Sequence, residues 1–253
     1  MFALFAAALL AGGVGFADTQ VAVSAEPQMF KILSSDGQQV LGHAVYHVRP
    51  APDGAVVIGE NRYLDGERDV EHDVIKIPTS GELPTLVRFE RAFFNADGSR
   101  KYASRADLGA GSAVCISYEN GRERTMNRRM EFAPDTYAGA SAVVALEHAL
   151  RRGIRAMGFH FFDCAPGPTV VAVTADPPAE GRSWRFYPSS RLAQVDVTAE
   201  LGWLGSLVEG LVPHRDVWFD RGPNGGWEYV GGTVQRYFAG GPQVLLVREA
   251  AAH

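Results

Sequence analysis

Apolar and polar positions alternate with a period of two along most of this chain, the pattern of strands that bury one face. The alternation is loose from Val40 to Val48, then clearer in Ala55 to Leu64 and Glu67 to Ile77, which flank Asp65-Gly66. An Asp-Gly pair between strand-like runs predicts a type I′ hairpin, because both central residues of that turn need φ > 0. That register sets Arg62 opposite Asp69 and Val57 opposite Val74. Leu86 to Phe94 puts Val87, Phe89 and Phe93 on one face, with Arg88 and Glu90 on the other. Asp97-Gly98 leads into Arg100 to Ala106. Asn120-Gly121 joins Ser112 to Tyr118 with Arg124 to Phe132. Turn signals at this spacing predict an antiparallel meander.

The period then changes. Pro134-Asp135 supplies a helix start with a side chain able to cap free N–H groups, and Val143, Leu146 and Leu150 follow at helical spacing. Arg151 and Arg152 suit the negative end of the helix dipole, and Gly153 suits a left-handed C′ position. One helix is expected over about 136–152. Strand patterning resumes in Gly158 to Phe162, Thr169 to Ala175, Ser183 to Tyr187, Ala193 to Thr198, Val217 to Asp220, Trp227 to Val230, Val234 to Phe238 and Val244 to Arg248. Leu201, Leu204, Val208 and Leu211 have helical spacing, but Gly202, Gly205 and Gly210 would each weaken a helix by roughly 1 kcal/mol relative to Ala. That stretch is a short helix or an apolar loop.

The expected fold is mainly β: a curved antiparallel sheet or half-open β-barrel packed against one central α-helix. With no Pro/Gly/Ser linker and one helix to cover one sheet, a single β-rich domain over 30–249 is preferred. The 46% apolar content is ample for a packed core. The net charge of −5, with basic residues scattered, argues against a nucleic-acid partner.

Met1 to Ala17 is an apolar run, too short for a membrane span of about 20 residues. It reads as a signal peptide ending at Ala17, with a second cleavage option at Ala25, although no Lys or Arg precedes it. Gly13 stands where a lipidated Cys would have to follow Leu10-Ala11-Gly12. Export gives a periplasmic or secreted location and no stable transmembrane span after processing. It would place Cys115 and Cys164 in an oxidising compartment, where a disulfide and two separate buried thiols are both open readings.

Candidate chemistry is sparse. His43 and His47 share a strand face but lie about 13 Å apart, too far to ligate one ion, so no metal site is assigned. Asp69, Glu71, His72 and Asp73 form the densest ionisable group, and with Arg62 and Glu60 opposite it they read as a solvated outer face. His160 and Cys164 are about 13 Å apart in a strand and do not make a nucleophile–base pair. No nucleophile elbow or phosphate loop occurs, so no catalytic residue and no cofactor is assigned. The aromatic residues Phe89, Phe93, Tyr102, Trp184, Phe186, Trp203, Trp218, Phe219 and Trp227 either fill a core or line an apolar cavity. Of these, Phe89, Phe93, Trp184, Phe186, Trp203 and Trp218 are the candidate ligand-binding set.

The order of hairpins, then Phe132-Ala133-Pro134-Asp135-Thr136 opening a small-residue helix that ends in Arg151-Arg152-Gly153, then strands reaching Val217-Trp218-Phe219-Asp220, resembles a family of uncharacterised bacterial periplasmic proteins. That family in turn resembles the lipoprotein-localisation carriers, in which an incomplete antiparallel barrel curls around a helix and shelters acyl chains. The export signal, the β layout and the aromatic supply point to a non-enzymatic envelope protein that binds an apolar small molecule, a lipid or a partner protein. Glu200 to Val212 departs from the pattern and reads as a lid or an insertion. The alternative is an extracytoplasmic hydrolase or lyase working inside the barrel through Asp69, Glu71, His72 or His160.

Overall fold

Nearly every strand pairs antiparallel with a neighbour in sequence. The computed structural model describes residues 26–78, 82–119, 122–164, 167–199, 215–222, 225–236 and 242–249. β1 (Gln28–Ser34), β2 (Val40–Ala51), β3 (Gly54–Tyr63), β4 (Arg68–Lys76), β5 (Thr85–Phe94), β6 (Arg100–Asp107), β7 (Ser112–Glu119) and β8 (Arg122–Arg129) form one meander. β9 (Thr136–Tyr137) leads into the helix α1 (Gly139–Arg151), and α1 into β10 (Met157–Asp163). β11 (Thr169–Ala175), β12 (Ala179–Trp184), β13 (Tyr187–Ala199), β14 (Arg215–Arg221), β15 (Trp227–Gln235) and β16 (Gln243–Arg248) complete the chain.

All of them join one sheet. β16 returns to pair with β1, so the sheet runs from β8 through β1 and β16 to β9, with β12 attached to β13. The mainly-β, curved-sheet expectation therefore holds. One departure is local: β9 and β10 pair in parallel, and α1 is the crossover between them. β1 is not among the expected strands, although Asp36-Gly37, with Gly37 at φ +72°, marks the turn that joins it to β2.

The sheet curls until its two ends meet. Cys115 on β7, next to one end, is bonded to Cys164, which follows β10 near the other end, with Cα atoms 5.7 Å apart. Of the two readings of these cysteines, the disulfide is the one present. Side chains close the rest of the seam: Phe162 packs edge-on against Phe89 and Phe132, and the Tyr137 hydroxyl donates to the Pro84 carbonyl at 2.7 Å. β8 and β9 do not pair with each other, so the ring is shut by side chains and one covalent bond.

Several register expectations are corrected. The Tyr63 amide donates to Glu67 O, and Gly66 has φ +88°, so the β3–β4 loop contains three residues and not two. A left-handed glycine closing a three-residue loop shifts the pairing by one. Arg62 is opposite Arg68, Asn61 faces Asp69, and Val57 faces Asp73. Every side chain of β4 thereby takes the opposite face from that expected. On β5 the register shifts beside Val87, which is exposed, while Leu86 is buried in its place.

The helix begins at Gly139 and not near residue 136. Thr136 and Tyr137 are taken into the sheet, and Asp135 bonds His160 at 2.9 Å instead of capping the helix. The far end is as expected: Gly153 has φ +75°, and the amide of Ile154 donates to Ala149 O. Ser183 to Tyr187 spans the tip of the β12–β13 hairpin and is not one strand, and Trp227 to Gln235 is one strand where two were expected. Met1 to Ala25, Asn120-Gly121, Phe238 and Glu200 to Val212 with Trp203 lie outside the described residues.

Candidate ligand chamber

The helix lies against the inner face of the sheet, and the space beside it is not filled. Small residues Ala142, Ala145 and Ala149 let α1 approach the strands closely, and Leu146 and Leu150 are buried with them. Each buried leucine contributes about 1.5–3 kcal/mol relative to exposure. A cavity of about 380 Å³ remains between α1 and the strands. Its walls are mostly apolar, with Val57, Phe89, Phe159, Val171 and Val197 from the sheet and Val143 from the helix.

One end of the chamber is defined by buried charge. Asp69 and Asp73 are fully buried and Glu71 nearly so, all on the inner face of β4. The three-residue loop therefore turns the expected outer face inward. Asp69 accepts from Arg91 of β5 through both carboxylate oxygens and from Asn61 Nδ2 at 3.1 Å. Arg91 Nε also stands 3.8 Å from Glu71. Glu71 accepts from the amide of Ala140, and Asp73 from that of Ser141 at 2.9 Å, so two carboxyl groups of a distant strand satisfy free N–H groups of the helix. The Ser141 hydroxyl donates to Ala138 O and accepts from Ala138 N.

Burial pushes the Glu71 and Asp73 carboxyl groups up, Asp73 well above its ordinary range because the Glu71 charge adds to the effect. The direct interaction of the two side chains adds to this difference, raising Asp73 and lowering Glu71. Glu147 is raised by burial too, and is held by Arg151 at 2.5 Å and by the Tyr229 amide at 3.2 Å. Arg151 Nε in turn donates to Trp227 O, tying α1 to β15.

Among the described residues three arginines line the chamber. Arg91 is neutralised by Asp69 and Arg151 by Glu147. Arg215 of β14 is held differently: it donates to the Gln235 side chain at 2.7 Å and lies 5.5 Å from the Phe161 ring centre. Among the described residues, no carboxylate forms an ion pair with it.

Among the described residues the histidines do not gather at this site. His72 and His43 are exposed, His43 paired with Glu249, and His47 accepts from Arg49. His160 pairs with Asp135 away from the chamber. Asp69 and Glu71 are thus brought together, while His72 and His160 are not. His148 of α1, which sequence reasoning passed over, borders the chamber instead. Burial and then Arg152 push its imidazole pKa down, and its Nε2 has no hydrogen-bond partner among the described residues. Among those residues no group of three metal-ligating side chains occurs.

The candidate aromatic set divides. Phe89 lines the chamber, and Phe93 is buried beside Tyr63 without bordering it. Trp184, Phe186 and Trp218 are on the other side of the sheet. Trp184 stacks on Trp218 at 5.3 Å over a small outer core of Leu192 and Val230, and the Phe186 ring rests on Gly37 of the β1–β2 turn. Their work in the structure is to pin the β12–β13 hairpin across the outer face.

No family model matches the chain, and no curated protein matches it. A crystal structure that the chain resembles is that of a beta-barrel-like protein of domain of unknown function DUF1849 from Brucella abortus. Identity is 16%, over 90% of this chain and 98% of that chain, with a TM-score of 0.45.

Proposed function

We propose that the protein is an exported envelope protein whose chamber holds an apolar or lipid-like molecule, without catalysing a reaction on it. The observation that carries this reading is the unfilled space of about 380 Å³ beside a helix otherwise packed tightly. Cavities of this size with mostly apolar walls and a few polar groups are typical small-molecule sites. The likeness in layout to lipoprotein-localisation carriers supports the same reading, as does the apolar run Met1 to Ala17. A disulfide between the sheet ends suits an oxidising compartment. Among the described residues no helix is long and apolar enough to cross a membrane.

The enzymatic alternative has less support. Glu71 and Asp73 are occupied with the helix N-terminus, and no histidine stands within hydrogen-bond reach of either in the described contacts. A partner protein in place of a small ligand has no specific surface to favour it. Native mass spectrometry of the protein purified without detergent, together with titration by a fluorescent fatty acid, tests the proposal. Co-purifying lipid or saturable one-to-one binding is expected; an empty protein that fails to bind the probe contradicts it.

A further inference from the structure

We infer that the occupant of the chamber is an amphiphilic anion, an apolar chain ending in a carboxylate or phosphate, and that Arg215 receives its charged end. The inference rests on the chamber reading and goes beyond it by naming the chemistry of the ligand.

What singles out Arg215 is local ion pairing: the lining also carries the carboxylates of Glu71, Glu147 and Asp163, but Glu71 lies beside Arg91, Glu147 is paired with Arg151, and none of the three forms an ion pair with Arg215. Arg91, Arg151 and Arg215 all border the chamber. The first two are each matched by a carboxylate of the protein, at Asp69 and Glu147. Arg215 has an amide oxygen and an aromatic ring as its contacts, which orient a guanidinium without neutralising it. Burial lowers its pKa, and the largest opposing influence is the charge of Asp163, which also borders the chamber but forms no ion pair with Arg215 among the described residues. A guanidinium withdrawn from water and unpaired is costly, and its fork of donors fits a carboxylate or phosphate in two-point geometry. Val217 of the same strand, Val197 opposite Arg215 on β13 and Phe161 of β10 give apolar surface lining the same chamber, so a chain attached to the anion has somewhere to lie.

The test uses the whole protein and displacement of a neutral apolar fluorophore, N-phenyl-1-naphthylamine. Oleate, its neutral counterpart oleyl alcohol, oleoyl-lysophosphatidylglycerol, acetate and inorganic phosphate serve as competitors. Oleate or the lysolipid should displace the fluorophore at about tenfold lower concentration than oleyl alcohol, a difference of ~1.4 kcal/mol. Whichever of the two is tighter identifies a free fatty acid or a phospholipid headgroup as the better fit. Arg215→Gln should erase the preference by bringing oleate and the lysolipid to the level of oleyl alcohol, while Arg215→Lys should keep part of it. Equal displacement by oleate and oleyl alcohol from the unaltered protein overturns the inference whether or not the variants fold. So does a preference that survives in Arg215→Gln. Displacement by acetate or phosphate alone, at concentrations matching oleate, removes the need for an apolar chain and overturns it too. Oleyl alcohol binding without anion preference leaves the chamber reading standing, whereas no binding by any competitor or by the fluorophore removes both.

Discussion

The carboxylate of Glu71 lies where any side chain at position 139 would have to go: a Cβ on Gly139 would come 2.1 Å from Glu71 Oε1. Gly139 also has φ +44°, a conformation that residues with a Cβ rarely adopt. The first residue of the helix and the middle of β4 are therefore fitted to each other, and this contact sets the end of α1 that borders the chamber. Gly139→Ala should destabilise the fold by about 2 kcal/mol or more, through strain and displacement of Glu71. Urea unfolding followed by circular dichroism measures it; an unchanged midpoint would show that the helix is not positioned by this contact.

Stability should depend on pH through three carboxyl groups of one sign and a histidine of the other. Asp73 has a raised pKa in the folded chain, so its contribution is complete in acid and declines as pH rises from about 4 through that raised value. Glu71 and Glu147 act in the same direction. His148 has a lowered pKa, so its contribution is complete above about pH 6.5 and declines as pH falls. Asp73→Asn keeps an acceptor for the Ser141 amide and should flatten the high-pH limb, remaining within about 1 kcal/mol of the parent at pH 5. His148→Gln should flatten the low-pH limb only. Unfolding midpoints across pH 4 to 9 check both, and a curve unaltered by Asp73→Asn would show that burial of Asp73 does not shape the pH dependence.

The Cys115–Cys164 bond closes a loop of sequence separation 49 and joins strands near opposite ends of the sheet. Loop entropy alone assigns it about 4 kcal/mol. Replacing both cysteines by Ala should lower stability by an amount of that order and raise amide exchange most in β8, β9 and β10, which meet at the seam. Exchange rising uniformly over the whole sheet would mean that the seam is not a separate opening unit.

Trp184 and Trp218 should matter for stability and not for the chamber. Trp184→Ala removes the stacked pair and uncovers Leu192 and Val230, at a cost of about 2–3 kcal/mol. Ligand affinity measured under folding conditions should stay the same. A loss of affinity in the folded variant would return these rings to the binding surface.

Much of the fold was legible because strands, turns and one helix left period-two runs, Asp-Gly pairs and a change of period. What stayed hidden depended on single-residue register and on contacts distant in sequence. Asp65-Gly66 marks a hairpin equally well whether its loop has two or three residues, and that one residue decides whether Asp69, Glu71 and Asp73 face water or the core. Arg91 shares the alternation of Phe89 and Phe93, so its inward direction was available from parity alone. Its partner was not, because Asp69 had been assigned to the other face. The helix start was misplaced for a related reason. The local capping residue, Asp135, was in the sequence window, but the groups that cap α1 come from β4, about 70 residues away. Trp184 and Trp218 could not be told from chamber residues, since large rings fill either side of a sheet.

The most direct trial of the chamber is to fill it. Val143 projects into the space from α1, and Val143→Trp should occupy it with little change of charge. Titration with N-phenyl-1-naphthylamine should give saturable one-to-one binding to the unaltered protein and at least about tenfold weaker binding to the variant, ~1.4 kcal/mol, with cooperative unfolding retained in both. Equal binding by the two proteins, or no saturable binding by the unaltered one, would contradict a ligand chamber beside the helix.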